Sequence, residues 1–277
     1  MTNAPIVMAV VSDLHVGSTI GLAPPRTTLD DEGEYVSSPA QRWMWHNWLD
    51  YCKRVKEVAR LNKAPYIVEI NGDAVDGDHH GTAQIWTRNE SVQIRTAYEC
   101  LKHLVEDAAQ VYVIRGTEVH VGKSANRDER VAADMSATGP SDDIHSWWHL
   151  LLDANGTTFD FAHHGKVGRL PWTKPNGANN LAGQVIINYA NTGDPPPAVI
   201  IRSHFHQYVD TDHNFDCTRL IGTPGWQLAT AFVHRIDTSG KVADTGGLIF
   251  TCHPKGCYDM EVKRYRAKRA KPIKVIL

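Results

Sequence analysis

Carboxylates and imidazoles gather in five short stretches of the chain: Asp13-Leu14-His15, Gly72-Asp73-Ala74-Val75-Asp76, Gly116-Thr117-Glu118-Val119-His120, His163-His164-Gly165 and His204-Phe205-His206. In extended backbone, residues two apart point to the same side. Asp13 with His15, and His204 with His206, therefore each present two donor groups together. A carboxylate beside an imidazole is the beginning of a site for a divalent cation, and a carboxylate such as Asp73 has two oxygens with which to bridge two cations. Each stretch alone has a bland explanation. D-x-H arises by chance, aspartates favour turns, and one histidine at a strand end usually sits satisfied in the core. The set is harder to explain that way, because neutral imidazoles gain little from being clustered unless cations join them.

Each stretch follows an apolar run that reads as a strand. IVMAVVSD (6–13) is continuously apolar, as a strand buried on both faces should be. Residues 17–38 read as a long loop. Ser38-Pro39 then supplies a cap and a proline at the start of a helix, whose expected buried face is Trp45, Trp48, Leu49, Cys52, Val55 and Ala59. YIVEING (66–72) and VYVIR (111–115) predict two more strands, with a helix over 90–109 between them. The first half is thus β-loop-α-β-α-β, and ligands of open α/β sheets gather at the carboxyl ends of the strands. Shorter strands dominate the second half: WHLLLD, TTFDFAH, AVIIRSH, RLIG, GGLIFTC and YDMEVKRY. They predict a second, more antiparallel sheet. Residues 165–197 read as an insertion with a helix near 179–190. One interwoven domain over 1–277 is expected.

The chain has 277 residues, 42% hydrophobic and 22% charged. This suits a globular protein with a substantial core rather than a disordered chain. A net charge of −2 and a pI of about 6.7 exclude a polycation built to coat nucleic acid. Basic residues do concentrate in 262–277, from Lys263 to Lys274, which reads as a solvated tail. Five cysteines, an odd number without regular spacing, argue against a secreted disulfide framework. Cys252, His253 and Cys257 lack the second cysteine pair of a zinc knuckle. The start of the chain has no signal-peptide pattern, and no apolar run reaches membrane-spanning length. A cytoplasmic protein without a membrane partner is the expectation.

Taken in order, the five stretches resemble the motif set of the calcineurin-like metallophosphoesterases: D-x-H, G-D-x-x-D, G-N-H-[DE], H-G and G-H-x-H. Four of the five match closely, and they span roughly residues 6–210. The resemblance implies a fold of two mixed sheets packed as a sandwich with helices on the outer faces (α/β of the α+β type, layered αββα). It also implies two divalent ions, whether manganese, iron, zinc or nickel. Asp13, His15 and His206 would hold the first ion, Asp73 would bridge, and His164 and His204 would hold the second. His163 is the neighbour that would support or replace His164. The implied reaction is hydrolysis of a phosphate ester, preferably a phosphodiester, by a hydroxide bridging the metals. Asp76 would orient the leaving-group acid.

The third block departs from the family. Thr117 stands where asparagine is expected and Glu118 where histidine is, while a histidine follows at 120. Three readings compete. In the favoured one, Glu118 replaces the asparagine ligand and His120 becomes the acid. In the second, Thr117 binds through its hydroxyl or a water. In the third, the block is degenerate and the protein is a weakly catalytic or inactive metal-containing module that holds nucleotide or nucleic acid. Among enzymes, a nuclease acting on DNA or RNA is the alternative. Arg169 and Lys123 are candidate phosphate-binding cations. The region after Gly116 has the character of a helix start, whose amides favour a phosphate.

Overall fold

The computed structural model describes residues 4–168, 171–236, 242–268 and 272–275. Strand β1 (Ile6–Val11) is buried along almost its whole length. The stretch 17–38, read as loop, contains a small hairpin of β2 (Arg26–Thr28) and β3 (Glu34–Val36). Helix α1 (Pro39–Asn62) begins where Ser38-Pro39 predicts. Ser38 Oγ accepts from the Gln41 amide, and the Gln41 side chain accepts from the Ser38 amide, a reciprocal capping box. Trp48, Cys52, Val55 and Ala59 are buried on its inner face, whereas Leu49 is 37% exposed. Then come β4 (Tyr66–Asn71), α2 (Glu90–Val105), β5 (Gln110–Ile114), a one-turn α3 (Glu118–Val121) and α4 (Asn126–Asp134).

In the second half, β6 (Leu150–Ala154) and β7 (Thr157–His164) form a hairpin. Helix α5 (Lys174–Thr192) occupies the insertion and is longer than the sequence suggests. Strands β8 (Val199–Ser203), β9 (Val209–Asp210) and β10 (Arg219–Gly222) follow, then α6 (Ala231–Ile236) and the long pair β11 (Thr245–His253) and β12 (Cys257–Tyr265).

Two mixed five-stranded sheets result, in the orders β12-β11-β1-β4-β5 and β6-β7-β8-β10-β9. Strands β1, β4 and β5 are mutually parallel in the first, and β7, β8 and β10 in the second. The sheets face each other across Met8, Val10, Ile114, Phe159, Phe161, Val199, Ile201 and Phe250. Helices α1 and α2 cover the outer face of the first sheet through Trp48, Tyr51, Val55, Leu101 and Leu104. Helix α5 covers the second through Ala178 and Ala182, against Ile200 and Leu220. The layers are αββα, as the motif resemblance implies. Among the described residues, no helix is long and apolar enough to cross a membrane.

The basic C-terminal segment divides. Val262–Tyr265 belong to edge strand β12, where Lys263 pairs with Asp50 at 3.2 Å and Arg264 lies over the Tyr208 ring. Arg269 and Lys271 lie outside the described residues, as does Arg169. In the β11–β12 hairpin, Cys252 is buried and Cys257 exposed, both as free thiols. His253 faces Asp259 at 2.8 Å rather than either cysteine.

Candidate metal centre

The parallel strands of both sheets deliver their carboxyl ends to one rim. The loops there are sewn together by backbone hydrogen bonds. Asp13 N donates to Gly72 O, His15 N to Asp73 O, and Trp226 N to Asp13 O. Asp13, His15, Asp73, His204 and His206 all have positive φ. Non-glycine residues rarely adopt this conformation, and five of them on one rim mean that the surrounding hydrogen bonds impose it. Strain of this kind concentrates where side chains must be aimed at a shared point.

Those side chains meet in overlapping clusters whose ligand atoms lie within 4.8 Å of one another. Asp13, His15 and His206 form one, which is the set expected for the first cation. Asp73, His163 and His204 form another. Asp73 also groups with His15 and His120, so its carboxylate stands between the two main clusters.

Two of the expected ligands, His164 and Glu118, lie outside these clusters, with the His164 ring centroid 4.8 Å from that of His204. His164 is exposed, and the buried neighbour is His163, with Nε2 3.0 Å from Asp73 Oδ2. The reason lies in β7. Phe159 and Phe161 face the space between the sheets, and between Phe161 and His164 the pairing with β8 shifts register, which leaves His163 buried and His164 exposed. Glu118 is likewise exposed and belongs to none of the clusters. Helix α3 begins at Glu118, so its side chain faces outward, and the preceding Thr117 faces in. Thr117 Oγ1 is 3.0 Å from His204 Nδ1 and 3.1 Å from His163 Nε2.

Three imidazoles are locked the same way. Nδ1 of His163 donates to Asn71 O at 2.6 Å, Nδ1 of His120 to Asp76 O at 2.8 Å, and Nδ1 of His15 to Asp76 Oδ1 at 3.1 Å. With Nδ1–H engaged, each neutral ring presents the Nε2 lone pair inward, the orientation of a metal-ligating histidine. Asp76 thus orients His120 through its carbonyl, while its carboxylate holds His15. His79, absent from the sequence reading, reaches Asp76 Oδ2 at 3.5 Å and stacks edge-on against His120, with ring centroids 4.5 Å apart.

Asp128, on α4, was also missed. Its carboxylate accepts from the amides of Gly116, Ala74 and Asp73, tying the second and third motif loops together. Burial pushes its pKa up to about 7, reinforced by the nearby Asp73 charge. No sequence pattern marks it, since only the fold brings α4 under those loops. Gly116 is needed for close approach: a Cβ there would stand 2.1 Å from Asp73 Oδ1.

The electrostatics favour a cation. Burial opposes ionisation of Asp13, yet His206 and His163 hold its carboxyl below the usual range. Burial likewise opposes ionisation of Asp73, which His163 holds far down. Burial should depress His163, but Asp73 and Asp13 carry it up to about 10, so the carboxylates draw a positive charge into the core. Burial brings His120 down to about 4, with His15 adding to the effect, and His204 to about 4, with His163 adding. Asp13 Oδ1 and Asp73 Oδ2 are buried and face only imidazoles, His206 Nε2 at 3.4 Å from the first and His163 Nε2 at 3.0 Å from the second. A buried carboxylate oxygen without a donor costs free energy. Two such oxygens among inward-facing imidazole lone pairs fit divalent cations.

Next to this centre is a cleft of about 260 Å³ whose lining includes Arg115, Glu118, Lys123, Trp148, His163 and His164.

No family model matches this sequence, and no curated protein does. The chain is similar to solved structures of the calcineurin-like metallophosphoesterase fold. Vps29 from Entamoeba histolytica is 12% identical, with a TM-score of 0.41 over 94% of this chain and 99% of that one. A predicted phosphoesterase from Streptococcus pneumoniae is 10% identical, with a TM-score of 0.37 over 94% and 99%. Phosphopantetheinyl hydrolase from Mycobacterium tuberculosis is 9% identical, with a TM-score of 0.35 over 87% and 96%. The likeness is distant, and the roles of the site residues rest on their own geometry.

Proposed function

We propose that the protein is a metal-dependent phosphoesterase that hydrolyses a phosphodiester, with two divalent cations held at the joined strand ends. The observation that carries this reading is the pair of clusters on either side of Asp73, with the buried oxygens Asp13 Oδ1 and Asp73 Oδ2 facing only imidazoles. Asp13, His15 and His206 would hold one cation. His163, His204 and the Thr117 hydroxyl would hold the other, and Asp73 would serve both. Bound divalent cations lower the pKa of a coordinated water toward neutrality and withdraw charge from phosphoryl oxygens.

The chain's own groups supply the rest. Asp76 and Asn71 fix the imidazoles on which the metal geometry depends. His120 is neutral at pH 7 in the free protein, because burial holds its pKa near 4. Its protonated form would pass a proton through Nε2 to the departing alkoxide. The cleft favours a diester. Arg115 is already paired with Glu129 at 3.2 Å, which leaves Lys123 as the exposed unpaired cation of the cleft among the described residues, suited to the single negative charge of a diester.

The test is metal analysis of the purified protein together with turnover of bis(p-nitrophenyl) phosphate and p-nitrophenyl phosphate in manganese. Two metals per chain and faster diester hydrolysis are expected. Asp73→Asn should lose metal and reduce turnover on the order of a thousandfold or more. Full activity of Asp73→Asn with both metals retained would overturn the reading.

A further inference from the structure

We propose that the cleft beside the metal centre is a nucleoside subsite, so that one arm of the phosphodiester carries a nucleobase stacked on Trp148. The chemical step at that arm rests on the phosphoesterase reading above, but binding of the base does not.

The cleft has a built wall. Trp148 is 59% exposed, yet it is not loose. The Arg115 guanidinium lies over its ring, 5.0 Å from the centroid. Arg115 is itself held by Ser146 Oγ at 2.8 Å and Glu129 at 3.2 Å. The ion pair neutralises the guanidinium, leaving it as a plate that orients the indole. The neighbouring tryptophan behaves differently: Trp147 packs against the inter-sheet core and donates to Thr138 O. Trp147 serves the fold, and Trp148 contributes little to it. A large indole fixed at the mouth of a cleft is a stacking platform.

The rim supplies the polar half of recognition. Lys123 is exposed and makes no ion pair or hydrogen bond among the described residues. Glu118 reaches the same cleft with its carboxylate exposed. One donor and one acceptor beside an aromatic face match a nucleobase edge, where donors and acceptors alternate. The volume of about 260 Å³ falls below the roughly 300–1,000 Å³ of sites for drug-sized ligands. It suits one base with its sugar. His163 lines both the cleft and the metal cluster, so a nucleoside seated there has its phosphate at the metals.

The test separates base from sugar and binding from chemistry. The intact protein is titrated calorimetrically with adenosine 5′-monophosphate and with ribose 5-phosphate. The nucleotide should bind about 10- to 100-fold more tightly, as expected of one stacked base. Trp148→Ala should abolish most of that ratio, and Trp148→Phe should keep most of it. Equal affinity for the two ligands, or a Trp148→Ala loss shared equally by both, would overturn the proposal. In parallel, p-nitrophenyl thymidine 5′-phosphate is compared with methyl p-nitrophenyl phosphate, which has the same leaving group and no base. A kcat/KM ratio that favours the thymidine ester and collapses in Trp148→Ala is the expected result. Turnover of both esters without preference would sink the subsite and spare the phosphoesterase. Base-dependent binding without turnover of either would sink the phosphoesterase and spare the subsite.

Discussion

Thr117 Oγ1 stands 3.0 Å from His204 Nδ1, and the same oxygen is 3.1 Å from His163 Nε2. A hydroxyl at that point is the fourth member of a donor set with Asp73, His163 and His204. Thr117→Ala should therefore weaken the second cation roughly tenfold to a hundredfold while the first stays bound, as loss of one supporting contact at a metal does. Thr117→Asn should retain the cation. Glu118→Gln should leave metal content unchanged, because Glu118 faces outward. Metal titration of the three variants decides the matter; a deficit in Glu118→Gln with none in Thr117→Ala would reverse the assignment.

The adjacent histidines should also separate. His163 is buried, with Nδ1 fixed on Asn71 O, whereas His164 is exposed. His163→Ala should lose the second cation and most activity. His164→Ala should retain both cations and affect only how substrate is held. Inductively coupled plasma analysis with kcat and KM for each variant is the measurement, and metal loss in His164→Ala alone would contradict the geometry.

His120 donates Nδ1–H to Asp76 O at 2.8 Å, which frees Nε2 for the leaving group. His120→Asn should keep both metals. It should slow esters with poor leaving groups by roughly a hundredfold to ten-thousandfold, and p-nitrophenyl esters far less. Equal slowing across leaving groups would remove the acid role. Because burial holds His120 near 4 in the free protein and an acid acts in its protonated form, its contribution to kcat/KM should fall as pH rises from 5 to 7, and His120→Asn should remove that fall.

Glu69 is fully buried between Val10 and Tyr112 of its neighbouring strands. Neither carboxylate oxygen has a hydrogen-bond partner, and burial raises its pKa well above 4.5. Below 4.5 the acid is neutral whether the chain is folded or unfolded. As pH rises past 4.5 the unfolded chain ionises first, so stability falls until the folded-state pKa is reached. Glu69→Gln removes that slope. Its stability relative to the parent should grow above pH 4.5 by up to about 1.4 kcal/mol per pH unit. Urea unfolding at several pH values measures it, and a pH-independent difference would show Glu69 ionised in the folded protein.

Much of this was legible in the sequence. Asp13, His15, Asp73, His204 and His206 could be named because each follows an apolar strand, and a parallel sheet sends every such strand end to one rim. The αββα layering was implied by the resemblance of the motif set to a known family, and the Ser38-Pro39 cap located the start of α1. The remainder depended on direction and distance. Whether His163 or His164 turns inward depends on the shift of register between β7 and β8 after Phe161, which no spacing in the sequence announces. Thr117 takes the inward position because α3 begins one residue later and carries Glu118 outward, a choice of a few tens of degrees of backbone rotation. Asp128 and Trp148 have no local signature. Asp128 matters because α4 lies beneath the motif loops, and Trp148 because Arg115 and Glu129, brought in from β5 and α4, hold its ring at the cleft. Strand ends are fixed by periodic local pattern, whereas the aim of a side chain is fixed by contacts between segments far apart in the chain.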